Sequence, residues 1–554
     1  MKLALLAGLF FLLLAAAYRT YGRFVARALA IDDSRDTPAQ ARADGVDFVP
    51  TPPFYLFAQH FSAIAAAGPI AGPILACQTF GWLPCLLWIA FGVVLIGAVH
   101  DFVSLAASVR HGATSVAEIA RRRLGTPAGR AMLAFIWIAL VYVIVAFTDI
   151  TAGSFVSGTE ELSGTEHAFH PGGAVAMASV LYLGLSLVLG LVQRFLAPPL
   201  WLVTIVFVPA TFALAWAGTH LSHVLVMDRS TWGLLILGYC ALASVTPVWA
   251  LLQPRGYLGG FVLYTALALG VIGILFGGYE IHQPAFRGFD VGTPTGAMFP
   301  FLFVTIACGA CSGFHGLVCS GTTSKQVARE SHMHFVGYGA MLAEGFVALI
   351  ALVTVMIVLP QDLVGLQPGT IYGNGIGGFL AILIGKENLP FAITFGAMAF
   401  STFVFDTLDV CTRLGRYVLE ELFGWRTRAG ASLATLATIG PPALILWTSS
   451  PGAWKEYWTL FGASNQLLAG LSLIAISVWL KREGRPTAFT LLPTVFVLTI
   501  TLWALARIAF ASFSAAQGLD ARFVNGLASS ALIALALFVA VSALGRWRGE
   551  PARS

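Results

Sequence analysis

The sequence has few charged residues. Only 10% of its 554 residues are Asp, Glu, Lys or Arg, whereas about 25% is typical of a soluble domain. A soluble chain of this size needs more polar surface. A disordered chain is poor in aromatic side chains, which make up 12% here. With 58% hydrophobic residues, the composition is typical of a polytopic membrane protein.

Other functional signals are also absent from the sequence. The basic residues are scattered along the chain, so no basic run predicts nucleic-acid binding. The seven cysteines lie in or beside apolar runs, which disfavours a secreted disulfide framework. There is no nucleotide-binding fingerprint and no His-Glu-x-x-His metal motif. We therefore predict neither an enzyme nor an ATP-driven pump.

Continuous apolar runs predict an all-α protein with about fifteen membrane-spanning helices. The predicted spans are 3–18, 54–79, 83–109, 131–155, 174–193, 199–217, 231–252, 258–279, 298–324, 334–359, 389–419, 430–449, 455–480, 488–512 and 526–546. The positive-inside rule fits this odd number. With the N-terminus outside and the C-terminus in the cytoplasm, 24 of the 31 basic residues, Arg255 among them, fall on the cytoplasmic side. Segment 114–124 predicts a short helix at the inner surface, and 370–385 predicts a re-entrant or interfacial segment.

Small residues interrupt two of these spans. The pairs Gly68-Pro and Gly72-Pro interrupt the span 54–79, because proline removes a backbone donor and clashes with the preceding turn. A Gly-rich stretch from Gly309 to Gly316 interrupts the span 298–324. The two spans run in opposite directions in the predicted topology, which is the pattern of an inverted-repeat secondary transporter. The alternative is ordinary kinks in packed helices.

Five segments describe the predicted domain organisation. They are an N-terminal anchor helix with a cytoplasmic loop (1–53), inverted repeat 1 (54–217), two inserted helices (218–297), inverted repeat 2 (298–480) and two C-terminal helices (481–554). Each repeat contains five spans, and each begins with a broken span.

Four motifs resemble those of the carbon starvation protein A family. They are Leu56 to Ile74, Gly97 to Phe102, Ala307 to His315 and Ser320 to Lys325. The resemblance implies uptake of peptides or pyruvate across a bacterial inner membrane. It also implies membership of the amino acid–polyamine–cation superfamily, with its leucine-transporter-like five-plus-five inverted repeat. The chain has Gln59 where the family usually has a second histidine, and His100 where it usually has Gln.

Residues at the two breaks form the candidate substrate site. A protonated His60 would bind a carboxylate or relay a proton, and the alternative is a neutral His hydrogen-bonded inside the bundle. Backbone N–H groups at the start of a half-helix suit an anionic carboxylate. The predicted substrate-binding residues are His60, Gly68, Gly72, Ser312, Gly313, His315 and Gly316.

Acids within the spans are candidates for ion coupling, because a charge in hydrocarbon costs at least about 2.5–3.5 kcal/mol. Asp101 and Glu344 each follow a broken span, and either takes up a proton or caps a broken helix. Thr402, Asp406 and Asp409 share one helical face. The superfamily resemblance implies that Thr402 and Asp406 bind Na⁺, although Asp406 would serve H⁺ equally well. The alternative is an ion pair between Asp409 and Arg413.

Cys308, Cys311, His315 and Cys319 have spacings that resemble soft-metal ligands. Because the intervening glycines are expected to unwind the helix, we predict no bound metal and no cofactor other than H⁺ or Na⁺ as the coupling ion. The expected function is ion-coupled import of a small carboxylate-bearing nutrient, either a short peptide or pyruvate. An uncoupled channel or permease and a membrane nutrient sensor are the alternatives. The expected partners are the substrate and the lipid bilayer, and a homo-oligomer stays open.

Overall fold

The computed structural model describes residues 2–44, 48–65, 67–156, 169–425, 427–448 and 454–548. Helices dominate these residues, and two isolated β-bridges, Thr51 with Val327 and Asp290 with Ala297, accompany them. The all-α class predicted from the apolar runs is therefore confirmed.

Twelve helices in the described part of the chain are long and apolar enough to cross a membrane. They are Leu3–Ala28, Trp82–Arg110, Thr126–Ser154, Pro171–Phe195, Leu200–His220, Leu252–Phe276, His334–Met356, Lys386–Phe423, Arg428–Thr448, Lys455–Arg482, Ala488–Ala515 and Ala521–Trp547. The pair Pro53–Ile64 and Gly68–Phe80, bent by 46°, makes up to thirteen. This pair is the first broken span.

Two further predicted spans have shorter helices. The span 231–252 is the 17-residue helix Arg229–Val245. The span 298–324 is divided into Met298–Thr305 and Gly313–Gly321, which together form the second broken span. The number fifteen stays a prediction, because length and composition alone assign the spans.

Two shorter helices lie where the sequence predicts short segments. Val116–Leu124 begins at Ser115, whose side chain accepts a hydrogen bond from the N–H of Glu118 at 3.2 Å, as in a capped N-terminus. Its apolar side chains are buried and Arg121 is exposed. Pro368–Ile384 is a 17-residue apolar helix at the predicted segment 370–385.

One compact unit comprises Met1–Ala7, Leu140–Pro284 and Ile350–Trp454. At its centre is the 35-residue helix Leu389–Phe423, most of whose side chains are buried. Pro368–Ile384 packs closely against it: a Cβ atom added to Gly373 would lie 2.7 Å from Cβ of Ala397. We call this the central-helix unit.

The other compact unit comprises Gly8–Ala139, Ala285–Leu349 and Lys455–Ser554. It contains both broken spans, so we call it the broken-helix unit. Each unit draws on both halves of the chain, and the inverted repeats 54–217 and 298–480 stay a prediction.

Candidate functional site

The two broken spans approach each other at their breaks, inside the broken-helix unit. A Cβ atom added to Gly68 would lie 2.4 Å from Sγ of Cys308, and one added to Gly72 would lie 2.7 Å from the carbonyl oxygen of Thr305. Neither distance leaves room for a side chain, so both glycines permit close approach of the two backbones. A substrate-binding role for Gly68 and Gly72 stays a prediction.

Tryptophan side chains satisfy carbonyl groups at the break of the second broken span. The Nε1–H of Trp458 donates to the carbonyl oxygen of Thr305 at 3.1 Å, and that of Trp88 donates to the carbonyl oxygen of Ile306 at 3.2 Å. Ala310 and Cys311, further along the break, are fully buried. Irregular backbone at membrane depth requires such partners and such burial in protein.

Asn465 caps the half-helix that starts at Gly313. Its Oδ1 accepts from the backbone N–H of Phe314 at 2.9 Å, and its Nδ2 lies 3.1 Å from Oγ of Ser312 and 3.2 Å from Sγ of Cys308. A Cβ atom added to Gly313 would lie 2.4 Å from the carbonyl oxygen of Asn465. The protein thus occupies part of the N-terminus that the sequence assigned to a substrate carboxylate.

His315 lies between two carboxylates. Its Nδ1 is 2.9 Å from Oδ2 of Asp101, and its Nε2 is 3.2 Å from Oε2 of Glu344. The other oxygen of Asp101 lies 2.8 Å from Nδ1 of His100, next to Gly316, where an added Cβ would be 3.2 Å from the His100 ring. Asp101 and Glu344 are fully buried, and His315 is 1% exposed. The structure therefore joins three predicted site residues in one chain of contacts.

A π-helical turn precedes each acid of this cluster. The turn Val93–Gly97 comes shortly before Asp101, and His334–Gly339 comes shortly before Glu344. Such turns are rare and frequent at functional sites, because they widen the helix and redirect the side chains that follow. The two helices that follow the broken spans therefore share a local irregularity as well as a buried acid.

Glu344 is the least satisfied member of the cluster. Its contact with His315 has an ion-pair distance but not the alignment of a hydrogen bond, and within the described residues neither carboxylate oxygen has a hydrogen-bond partner. An imidazolium between two ionised carboxylates leaves one negative charge in excess. Because an unbalanced buried charge is strongly unfavourable, the cluster suits one further proton or one bound cation.

His60 connects the two broken spans. Its Nδ1 lies 2.9 Å from Oγ1 of Thr323, and its Nε2 lies 3.9 Å from Sγ of Cys319. The side chain is 1% exposed. This geometry resembles the hydrogen-bonded alternative, and the predicted role of His60 toward a substrate stays a prediction.

The cysteine side chains near the second break have separate partners. Sγ of Cys308 contacts Asn465, whereas Sγ of Cys319 lies 3.5 Å from the carbonyl oxygen of Asp101. The helix ends at Thr305 and resumes at Gly313, so the spacing of a continuous helix does not apply. Among the described residues, no group of three His, Cys, Asp or Glu side chains is arranged to hold a metal ion. That the protein binds no soft metal stays a prediction.

A second buried ionic cluster lies in the central-helix unit. Nε of Arg255 donates to Oδ1 of Asp406 at 2.6 Å, and its Nη1 lies 2.6 Å from Oδ2 of Asp409. Its Nη2 donates to the carbonyl oxygen of Phe405 at 2.9 Å. Tyr239 donates to Oδ2 of Asp409 at 2.8 Å and also contacts Arg255. Arg255 is fully buried.

This cluster corrects two sequence-based interpretations. Arg255 is a buried partner of two acids rather than a marker of a cytoplasmic loop. Asp409 pairs with Arg255, whereas Nη2 of Arg413 donates to the carbonyl oxygens of Ala243 and Thr246 at 2.6 and 2.8 Å. Oγ1 of Thr402 and Oδ1 of Asp409 lack hydrogen-bond partners within the described residues.

Sequence reasoning missed Arg255 and Asn465. The two acids of the span 389–419 could have indicated a partner such as Arg255, because two buried carboxylates require a cation. A signal for Asn465 exists in the polar triplet Ser464-Asn465-Gln466 within an otherwise apolar span.

Comparisons with known proteins agree on a transporter family. A family profile described as carbon starvation protein CstA matches residues 2–374 and 363–504. A Helicobacter pylori (strain ATCC 700392 / 26695) protein named peptide transporter CstA is 33% identical, over 88% of this chain and 79% of the relative. A Bacillus subtilis (strain 168) protein of the same name is 31% identical, over 97% and 95%. The Escherichia coli (strain K12) pyruvate/proton symporter BtsT is 29% identical, over 88% and 79%.

A solved structure shares the fold. The crystal structure of a mutant manganese transporter from Eremococcus coleocola covers 91% of this chain and 99% of its own chain, with a TM-score of 0.53 and 12% sequence identity. At that identity the likeness concerns the fold alone. The shared fold agrees with the predicted class, an all-helical membrane protein.

Proposed function

This chain belongs to the carbon starvation protein CstA family, and we propose that it is a proton-coupled secondary transporter that imports short peptides or pyruvate by alternating access. Relatives named as a peptide transporter and as a pyruvate/proton symporter support the two substrate classes. In this proposal the N-terminus is outside and the C-terminus is cytoplasmic, in a bacterial inner membrane.

The observation that carries the proposal is the buried chain Glu344–His315–Asp101. Histidine gains and loses a proton near physiological pH, and it lies here between two groups that accept one. The cluster is neutral with one additional proton and carries one negative charge without it. Since a membrane-buried charge is expensive, occlusion of the site favours the proton-loaded form.

The position of His315 links this proton to the helix break. The residue is in the half-helix that starts at Gly313, whereas Asp101 and Glu344 are in two other helices, Ala98–Arg110 and Ala340–Met356. Loss of the proton changes the charge of the cluster and therefore the strength of the contacts among these three helices. A proton can therefore bias an opening movement, as a ligand biases whichever state binds it more tightly.

The carboxylates of the cluster favour the peptide over pyruvate. A peptide carries an ammonium group, which can donate hydrogen bonds to carboxylate oxygens even when the cluster holds its additional proton and is neutral, whereas pyruvate offers only a carboxylate and a ketone. His60 and the hydroxyl of Thr323, paired at 2.9 Å, are the proposed contacts for the carboxylate end of either substrate. Asn465 is the residue that holds the half-helix in place for this purpose.

The test is uptake of labelled dipeptide and labelled pyruvate into proteoliposomes, with the pH gradient and the Na⁺ gradient varied separately. We expect the dipeptide to accumulate when the outside is acidic. The E344Q variant should still exchange substrate but lose accumulation driven by the pH gradient, because the exchangeable proton is gone. E387Q, which changes an exposed Glu in the same way, is the matched control. Equilibration without accumulation in the wild type would instead identify an uncoupled permease.

A second candidate is Na⁺ coupling at the central helix. The unpartnered Oγ1 of Thr402 and Oδ1 of Asp409 are hard oxygen ligands of the kind that Na⁺ prefers, and Asp406 lies one turn from each. This candidate predicts accumulation with a Na⁺ gradient at equal pH, and its loss in D406N. The charge of Arg255 beside both acids opposes a further cation there, so the proton site in the broken-helix unit is preferred.

A further inference from the structure

Three candidate membrane spans of the broken-helix unit end at one cationic surface. The spans Trp82–Arg110, Lys455–Arg482 and Ala521–Trp547 bring their last residues close to the short helix Val116–Leu124. Nζ of Lys481 donates to the carbonyl oxygen of Trp547 at 2.7 Å. A Cβ atom added to Gly125 would lie 3.5 Å from Nη2 of Arg546. Because spans end at the polar headgroups of a bilayer, this surface lies at headgroup depth.

Six cationic side chains belong to this surface, and two acids accompany them. The cations are Arg121, Arg122, Arg123, Lys481, Arg482 and Arg546, and the acids are Glu118 and Glu483. Glu118 is shared, because Nε of Arg121 lies 2.5 Å from its Oε2 and Nε of Arg122 lies 2.6 Å from its Oε1. These interactions leave an excess of four positive charges. Arg121, Arg122, Lys481 and Arg546 are exposed.

Arg123 shows that the surface contains a cation without a full counter-charge. Its Nε and Nη2 lie 2.9 and 2.7 Å from Nε2 of His111. Burial first, and then the neighbouring Arg123 and Arg122, lower the pKa of His111. Its Nδ1 lies 2.6 Å from the carbonyl oxygen of Ala107, so the ring donates there and accepts from Arg123 as a neutral group. Burial lowers the pKa of Arg123 as well, with further repulsion from Arg482 and Arg122.

Aromatic rings complete the site. The His111 and Trp479 rings pack edge to face with centroids 5.3 Å apart, and Nζ of Lys481 lies 4.3 Å from the Trp547 ring centroid. Tryptophan is typical of the membrane interface, where its ring lies at headgroup level. Trp479 is buried in the protein, whereas Trp547 is half-buried at the end of its span. The cation beside Trp547 therefore fits a lipid headgroup better than a soluble anion.

We propose that this surface, which we call the basic rim, binds the phosphate headgroup of an anionic phospholipid in the adjoining leaflet. The charge excess complements the headgroup, and the acyl chains would lie along the exposed apolar side of Ala521–Trp547, where Val541 and Leu544 are 66% and 58% exposed. The site is distinct from the buried Glu344–His315–Asp101 chain and does not depend on the transported substrate.

The test measures binding of phosphatidylglycerol to the full-length protein in detergent by native mass spectrometry. Phosphatidylcholine and inorganic phosphate are titrated separately. The rim variant R122Q/K481Q/R546Q is compared with R23Q/R27Q/R428Q, which removes the same charge from exposed positions elsewhere. Each near-surface cation strengthens the binding of anionic lipid roughly fivefold. We therefore expect the rim variant to bind phosphatidylglycerol at least about tenfold more weakly, and the control to bind within about twofold of wild type.

An equal loss of binding in both variants, or no loss in the rim variant, would overturn the proposal. Inorganic phosphate that binds as tightly as phosphatidylglycerol would also overturn it, because the site would then serve a soluble anion. If thermal unfolding shows that the triple variant is not folded, the single variant R546Q replaces it. Removal of this exposed guanidinium is expected to weaken phosphatidylglycerol binding several-fold, and unchanged binding would contradict the assignment.

Discussion

A double-mutant cycle on His315 and Glu344 tests the charge balance of the buried cluster. His315 contacts both Asp101 and Glu344, so H315Q removes the imidazole between the two carboxylates and leaves Asp101 with His100 as its neighbour. E344Q instead leaves one acid beside one imidazolium. In the double variant a single carboxylate remains. The net charge of the cluster is then minus one, the same as in wild type with an imidazolium between two ionised acids.

The magnitudes follow from the distances. At about 3 Å and an effective dielectric constant near 20, each His315–carboxylate pair attracts by about 5 kcal/mol before desolvation. Removal of one partner from a buried ion pair costs about 3–5 kcal/mol, which is the expected destabilisation by H315Q. E344Q alone should change the free energy of unfolding by less than about 1.5 kcal/mol. In the H315Q background, however, E344Q should be stabilising, so that its effects in the two backgrounds differ by about 1–3 kcal/mol, the usual coupling between contacting residues.

The assay is unfolding of wild type, both single variants and the double variant in mixed micelles with increasing SDS, followed by tryptophan fluorescence. The decisive quantity is the sign of the E344Q effect in the two backgrounds. If E344Q destabilises the H315Q protein by as much as it destabilises wild type, the two side chains act independently. The argument for an exchangeable proton in this cluster would then be refuted.

Two further predictions concern stability, measured by the same unfolding assay. G72A should destabilise the protein by about 1–3 kcal/mol, because the new Cβ would lie 2.7 Å from the carbonyl oxygen of Thr305. Its control is G184A at an exposed helical glycine with open space around it, which should stabilise the protein by about 0.5–1 kcal/mol. A stabilising effect of G72A would contradict the close contact of the two breaks. R255M should lower the free energy of unfolding by about 3–5 kcal/mol, because it leaves two buried acids without their cation. D406N should lower it by only about 1.5–3 kcal/mol, because Arg255 keeps Asp409 as its partner. A larger effect of D406N than of R255M would show that Asp406, and not the charge balance, holds this cluster together.

Local chemistry explains which features were predictable. The break at Gly68 follows from proline and glycine within one apolar run, and the helix Val116–Leu124 follows from its capping Ser115. These signals lie within a few residues of the feature that they predict. Asp101 and Glu344 were also identifiable, because a charge in an apolar run needs an explanation wherever it lies.

Partner choice was not predictable, because packing between distant segments decides it. Asp406 lies 151 residues from Arg255, and Asn465 lies 153 residues from Ser312. The edge of an apolar run near Leu252 placed Arg255 in a loop, while the folded chain buries it beside two acids. The spacing of the cysteines likewise assumed a continuous helix, whereas the chain between Thr305 and Gly313 is not helical.

The two buried ionic clusters differ in the kind of cation that they contain, and from this difference we infer different roles. In the central-helix unit, Asp406 and Asp409 face Arg255, with Arg413 one turn along the helix. Arginine keeps its proton under all physiological conditions, so this cluster has a fixed charge and suits a structural role. In the broken-helix unit the only cation in the chain of contacts is a histidine, whose charge depends on a proton. A transport cycle needs a site whose charge changes between its states, so we expect proton exchange at His315 and Glu344, beside the helix break, and a constant ion pair at Arg255.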